Sequence, residues 1–207
     1  MFIAILIFTE YHRLPQQQNY WSLDEDVKCI FVTKCMTRNR FMELKCFIHL
    51  ANNAEIAGTK NRMYKIRPLM TMLSTNLCQW GIIYQDLSID DSMIKYFENY
   101  EAKQFIRGKP IRFEFKNWMM SSSTGYCYTF DVYCGRSENK TANSLPLGSK
   151  VVLDLIEKIE NPALHVLYFD NFFSSHSLLQ ILKDKNFRAT GTVRENRTNK
   201  CPMTSCK

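Results

Sequence analysis

The sequence predicts an α/β protein in which a mixed β-sheet follows a helical region. Three patterns lead to this prediction: apolar residues recur at helical spacing after Pro68, apolar and polar residues alternate over residues 111–132, and Val166–Phe169 is an uninterrupted apolar run. The first pattern is typical of an amphipathic helix, the second of a half-buried strand, and the third of a buried strand.

The first 85 residues favour helices. The run 1–8 is too short to span a bilayer and is expected to be part of a buried helix. Thr37 is a candidate N-cap, and Pro68 suits the first turn of a later helix. Inward positions of the earlier helix would be Phe41, Leu44 and Ile48. The later helix would present the stripe Leu69, Met72, Leu73, Leu77 and Trp80.

Strands and helices alternate from residue 87 onward. Residues 87–90 are a strand candidate, and two alternating segments joined at residues 123–125 predict an antiparallel hairpin. A helix is expected to be capped by Gly148 and Ser149 and to end before Pro162. Val166–Phe169 and 187–193 are the last two strand candidates. Apolar positions on the two helices are Val152, Leu155, Ile156 and Ile159, and then Leu178, Leu179 and Leu182.

Bulk composition indicates the class of binding partner and the cellular compartment that we expect. The formal net charge of +7 and the pI near 9.0 favour a polyanionic partner, either nucleic acid or an anionic membrane surface. The eight cysteines show no close repeat, so we expect reduced thiols inside a cell rather than a disulfide framework. Cys201 and Cys206 could be half of a zinc site, but two ligands do not make a site, and chance is the better explanation of their spacing.

Two aspartates stand out because each ends a predicted strand. Asp90 follows residues 87–89, and Asp170 follows Val166–Phe169. Ligand sites in α/β sheets collect at the carboxyl ends of strands, so the two carboxylates would meet if the strands are neighbours. Paired carboxylates suit Mg²⁺, whereas aspartate in this position also commonly caps the following turn. Asp91 is expected on the opposite face of its strand.

Several segments, in order along the chain, resemble piggyBac transposases. LSIDDSM at 87–93 is similar to the strand that bears the first catalytic aspartate, and YFDNFF at 168–173 is similar to the second motif. GTVRENR at 191–197 resembles the basic segment that follows. The remaining matches are LP (14–15), YWS (20–22), MTRNRF (36–41), YKIRPL (64–69), KPIRF (109–113) and SSTGY (122–126).

This resemblance implies a cut-and-paste DNA transposase core with an RNase H-like mixed sheet preceded by a helical lobe. It implies a partial helical dimerisation and DNA-binding lobe over 1–85, a partial catalytic core over 86–200 and a divergent tail over 201–207. In that family three aspartates hold two Mg²⁺ ions. By motif, Asp90 and Asp170 are the first two metal ligands, and Arg194 and Arg197 are basic positions expected near DNA.

The sequence departs from the family pattern because the third metal-binding aspartate is not found. We therefore expect a catalytically inactive DNA-binding derivative, whether a domesticated protein, a decayed copy or a partial gene model. The alternatives are an active metal-dependent nuclease and a protein-interaction module that pairs with full-length relatives. Substitute third ligands would be Asp154, Glu157 and Glu160, although a solvated helix face is expected for the first two. We also expect a nuclear location and a protein partner, either a second copy of this chain or a related transposase-like chain. No membrane association is expected.

Overall fold

The structure is a computed structural model that describes residues 1–52, 54, 63–96, 104–105, 113–135 and 145–194. Contacts between residues divide the chain into two compact units, Met1–Leu50 and Ala51–Lys207. Among the described residues, no helix is both long and apolar enough to cross a membrane.

The first unit contains three helices. They are α1 (Phe2–Tyr11), α2 (Ile30–Cys35) and α3 (Arg38–Phe47), with a 3-10 helix at Gln17–Trp21. Their shared core consists of Ile5, Tyr20, Cys29, Val32 and Phe41. The predicted N-cap of α3 is confirmed, because Thr37 Oγ1 accepts a hydrogen bond from the Arg40 N–H at 3.4 Å. Ile48, however, lies beyond α3 and is exposed, because α3 ends at Phe47.

The described part of the second unit comprises a six-stranded sheet, three α-helices and a 3-10 helix. The elements in chain order are α4 (Arg67–Trp80), β1 (Asp86–Lys95), β2 (Gln104–Phe105), β3 (Phe113–Ser122), β4 (Cys127–Val132), α5 (Leu147–Ile156), a 3-10 helix at Pro162–Leu164, β5 (Val166–Phe169), α6 (His176–Asp184) and β6 (Arg188–Gly191). Strands pair in the order β2-β3-β1-β5-β6, and β4 also pairs with β3. The first half is antiparallel, whereas β1, β5 and β6 are parallel. The predicted hairpin and mixed sheet are thus confirmed.

The core of this unit lies between the sheet and helices α5 and α6. Alternate residues of β1 and β5 are buried on the same face, namely Leu87, Ile89, Leu167 and Phe169. Helices α5 and α6 bury Val152, Leu155, Leu178 and Leu182 against them. Because successive side chains of a strand point to opposite faces, the residue after each buried position lies on the other face.

Helix α4 differs from the sequence prediction in the face that it buries. Pro68 occupies the first turn as predicted, but the buried residues are Met70 and Ser74. The predicted stripe is partly exposed, as at Met72 and Trp80. Helix α4 packs on β4, so the contacts place it in the second unit, whereas the sequence places a boundary near residue 85.

Helix α5 begins earlier than the sequence predicts. Its N-cap is Pro146, and Gly148 and Ser149 are buried inside the helix. A Cβ atom at Gly148 would lie 2.5 Å from the carbonyl oxygen of Phe172, which is far inside van der Waals contact. The glycine is therefore needed for close packing of α5 against the segment after β5, and the predicted cap at this position is wrong.

Candidate functional site

Asp90 and Asp170 lie on neighbouring parallel strands at matching positions. The register of β1 and β5 pairs Leu87 with Leu167 and ends with Ile89 opposite Phe169. Each aspartate is the next residue along its chain. Since neighbouring strands lie about 4.8 Å apart, this register places the backbones of the two aspartates near each other at the carboxyl end of the sheet. The prediction of a shared site depends on β1 and β5 being neighbours, and they are.

One oxygen of each carboxylate accepts a hydrogen bond from a nearby backbone N–H. Asp90 Oδ1 accepts from the Asp91 N–H at 2.7 Å, and Asp170 Oδ1 accepts from the Phe172 N–H at 2.8 Å. Both residues are exposed. The capping interpretation is therefore correct for one oxygen of Asp170. Within the described part of the chain, no further hydrogen bond occupies either carboxylate, so each keeps an oxygen for a ligand.

A tight turn over residues 170–174 fixes the backbone of Asp170, and we call it the Asp170 turn. The Asp170 carbonyl oxygen accepts from the N–H groups of Phe173 and Ser174, both at 3.3 Å, and from Ser174 Oγ at 3.1 Å. Gly191 on β6 permits this packing, because a Cβ there would lie 2.8 Å from both Phe169 O and Ser174 Oγ. The position of the Asp170 carboxylate is thus fixed by the hydrogen bonds of the turn and by the packing of the turn against Gly191.

Asp91 is engaged in a separate contact. Its Oδ1 lies 3.3 Å from Lys116 Nζ on the neighbouring strand β3. The same ammonium lies 4.5 Å from the centre of the Phe172 ring, within the Asp170 turn. Asp91 follows Asp90 in a pleated strand, so the two carboxylates point to opposite faces, as the sequence predicts.

Arg194 reaches the same edge of the sheet from β6. Strand β6 pairs with β5 in parallel, so its carboxyl end lies beside Asp170. Arg194 Nε donates to Asn171 Oδ1 at 2.8 Å, which ties an exposed guanidinium to the residue after Asp170. The sequence pattern assigns no role to Asn171, although its place beside Asp170 in the motif is a signal that could have identified it. Arg197 lies outside the described residues.

A third acidic ligand is not found in the part of the chain that the structure describes. There, no group of three or more His, Cys, Asp or Glu side chains is arranged to hold a metal ion. The suggested substitutes Asp154, Glu157 and Glu160 are all exposed, as the sequence predicts for the first two. Burial raises the pKa of Asp154, and the negative charges of Asp131 and Glu157 raise it further against the opposing effect of Lys150. Cys201 and Cys206 lie outside the described residues.

The carboxylate pair therefore fits a hard divalent cation only in part. Two carboxylate oxygens from adjacent strands match the oxygen preference of Mg²⁺. A complete octahedral shell needs further ligands from water, substrate or another acidic side chain. Asp90 and Asp170 would hold the ion, and the chemistry it supplies when bound is charge stabilisation in phosphoryl transfer.

Comparison with known proteins identifies the family. The model of the family described as transposase IS4 matches residues 1–206. The human PiggyBac transposable element-derived protein 2 is 32% identical over 203 residues, which cover 97% of this chain and 34% of that protein. The human PiggyBac transposable element-derived protein 3 is 32% identical over 206 residues, which cover 99% of this chain and 35% of that protein. The chain thus spans about a third of the length of these relatives.

A solved structure shows the same fold. The cryo-EM structure of a piggyBac transposase synaptic complex with hairpin DNA aligns with a TM-score of 0.81 and 23% sequence identity, covering 96% of this chain and 42% of that one. The predicted RNase H-like mixed sheet is confirmed by this likeness. The chain therefore belongs to the transposase IS4 family, as a piggyBac-like, transposase-derived member.

Proposed function

We propose that this chain is a DNA-binding protein that keeps two carboxylates of a transposase metal site and does not carry out strand transfer by itself. The observation that carries the proposal is the arrangement at one edge of the sheet. Asp90 and Asp170 directly follow the paired residues Ile89 and Phe169 there, and Arg194 donates a hydrogen bond to Asn171, the residue after Asp170. A phosphodiester at this edge would meet both a cation site and a guanidinium.

The charge of the chain supports DNA as the ligand. A net charge of +7 gives the molecule a field that attracts a polyanion at long range. The Arg194 guanidinium is exposed and is oriented by its bond to Asn171, so it is available to a phosphate oxygen. The solved structural match is itself a complex with hairpin DNA, which agrees with a nucleic-acid ligand.

The ligand count supports the absence of strand transfer. Among the described residues, only the pair Asp90 and Asp170 is available, without a third acidic partner. Mg²⁺ dehydrates reluctantly and needs near-ideal octahedral ligation, so two carboxylates bind it weakly. Catalysis falls steeply when a reacting group is displaced by about 1 Å, so an ion held by two ligands would be a poor catalyst.

The setting of this function is also part of the proposal. DNA as the ligand implies a nuclear location, and a second copy or a related transposase-like chain would be the natural protein partner. Such a partner is the route by which an additional acidic ligand could reach the site. An active metal-dependent nuclease is therefore the outcome that we test against.

DNA binding is tested by fluorescence anisotropy of a labelled duplex across a salt series. We expect sequence-independent binding that weakens steeply with salt, because phosphate contacts release counterions. Arg194→Gln should weaken binding and reduce the slope of log K against log salt by about one. Arg188→Gln is the matched control, because Arg188 is an exposed arginine at the other end of β6.

Two results would overturn the proposal. One is the absence of binding at low salt, and the other is an affinity that does not change with salt concentration. Equal effects of Arg194→Gln and Arg188→Gln would locate the DNA contact elsewhere than the edge of the sheet that carries Asp170, which contradicts the observation on which the proposal depends.

A further inference from the structure

We propose that Lys116 is a positioning residue that holds the Asp170 turn against strand β1. Its ammonium contacts one residue that follows Asp90 and one that follows Asp170. Lys116 Nζ lies 3.3 Å from Asp91 Oδ1, directly after Asp90, and 4.5 Å from the centre of the Phe172 ring, two residues after Asp170. One cation thus connects β1, β3 and the Asp170 turn.

The connection continues to Asp170 through short bonds. The Phe172 N–H donates to Asp170 Oδ1 at 2.8 Å, so a displacement of Phe172 would move the hydrogen-bond donor of that carboxylate. The Phe172 ring packs edge-on against Phe173 with centroids 5.1 Å apart, and Phe173 is buried in the core. The Phe172 ring therefore contacts Lys116 and also packs against Phe173, which is anchored in the core.

Partial burial makes this bridge stronger than a surface ion pair. The Lys116 and Asp91 side chains are 22% and 29% exposed, whereas the Arg13–Glu10 pair on α1 is 75% and 77% exposed. Water screens exposed pairs almost completely, and cation–π contacts gain strength as the cation loses solvent. Lys116 also balances the negative charge of Asp91, which otherwise adds to that of Asp90 and Asp170 at the same end of the strands.

The bridge restricts the geometry of the metal site without touching it. Asp90 and Asp170 lie on separate strands, and the β1–β5 pairing ends one residue before them. Beyond that point, the Lys116 bridge is a contact between the turn and β1, since it joins the residue after Asp90 to the residue whose N–H binds Asp170. Its effect on metal binding rests on the proposed function, whereas its effect on the turn does not.

The turn can be monitored by amide hydrogen exchange of the full 207-residue chain. The N–H groups of Phe172, Phe173 and Ser174 all bond to Asp170 and report on the turn directly. Lys116→Met should increase their exchange by about tenfold, the size expected for loss of a partly desolvated cation–π contact. Lys116→Arg should restore protection, because a guanidinium also pairs with a carboxylate and stacks on a ring. Lys183→Met, at an exposed lysine on α6, is the charge-matched control.

A second measurement links the turn to the metal site. Mn²⁺ binding, followed by electron paramagnetic resonance, should weaken severalfold in Lys116→Met and recover in Lys116→Arg. If the unmodified chain binds no Mn²⁺, the metal-site part of the proposed function fails, whereas its DNA-binding part is unaffected and the exchange result still decides the bridge. Unchanged exchange at the turn in a folded Lys116→Met variant would overturn the inference. A uniform increase across all strands would also overturn it, because Lys116 would then act only on global stability.

Discussion

Asp90 and Asp170 each directly follow a member of the last pair in the β1–β5 register, in which Ile89 lies opposite Phe169. They differ in how their side chains are held. Asp90 bonds its neighbour's N–H, whereas Asp170 closes a turn through the Phe172 N–H. Charge and turn formation at Asp170 can therefore be separated by mutation.

Asp170→Asn should abolish divalent metal binding while the fold is kept. An asparagine oxygen can still accept from the Phe172 N–H, but it carries no charge for the cation. Asp170→Ala should lose the hydrogen bond as well and cost about 1 kcal/mol of stability. Mn²⁺ titration and thermal unfolding of both variants check this. Equal melting temperatures for the two variants would contradict the role of the side chain in the turn.

Gly148→Ala should destabilise the second unit and disturb the Asp170 turn. A Cβ at Gly148 would lie 2.5 Å from Phe172 O and 2.9 Å from Phe173 Cα, and backbone atoms cannot move away cheaply. We expect a loss of about 2 kcal/mol, typical of overpacking, and a melting temperature lower by about 4–8 °C. Lys150→Ala, at an exposed position of the same helix, should leave the melting temperature within about 1 °C. An unchanged melting temperature in Gly148→Ala would show that α5 is not packed on the turn.

The cysteines should differ widely in reactivity. Burial, together with a smaller effect of the nearby Cys78, raises the pKa of Cys127 to about 11. Relative to a thiol with the ordinary pKa, Cys127 should then carry about a hundredfold less of the reactive thiolate near pH 8. Alkylation with iodoacetamide, mapped by mass spectrometry, should modify the exposed Cys46 long before Cys127. Similar rates at the two thiols in the folded protein would contradict the packing of β4.

Asp154→Asn should stabilise the protein at neutral pH. Burial and neighbouring acids raise the pKa of Asp154 in the folded state, so the folded state binds its proton more tightly than the unfolded state. The stability linked to this proton is fully present below the unfolded pKa and is lost as the pH rises through the folded pKa. Since the residue is exposed, the gain from Asn at pH 7 should be only about 0.5 kcal/mol or less.

Denaturant unfolding at pH 7 and at pH 3 measures the Asp154 effect. The stabilisation should disappear at pH 3, where Asp154 is largely protonated in both the folded and the unfolded state. A stabilisation of equal size at both values would mean that it arises from packing or helix propensity rather than from the proton.

The sequence predicted the parts of the fold that depend on local patterns. Alternation over β3 and β4 and the apolar run of β5 predict strands because burial on one or both faces imposes these periods. The pairing of β1 with β5 was a condition of the site prediction, not a result of it. Only the folded chain decides which strands are neighbours, since parallel pairing joins segments that are far apart in sequence.

Other features could not be predicted because they depend on packing partners. Helix α4 packs on β4 and buries Met70 and Ser74, although more apolar residues lie elsewhere on the helix. Gly148 resembles a cap in sequence, but the nearby Phe172 backbone determines its role. Likewise, the contact between Lys116 and Phe172 joins residues 56 positions apart, for which no local pattern exists.

The central claim, DNA binding without strand transfer, is tested most directly by incubating labelled duplex DNA with the chain and Mg²⁺ or Mn²⁺, beside the Asp170→Ala variant. Nicking and gel shift are read from the same samples. We predict shifted, uncut DNA with the unmodified chain under all metal conditions. Metal-dependent nicking that is lost in Asp170→Ala would contradict the account, because it would require a further ligand that completes the site of Asp90 and Asp170.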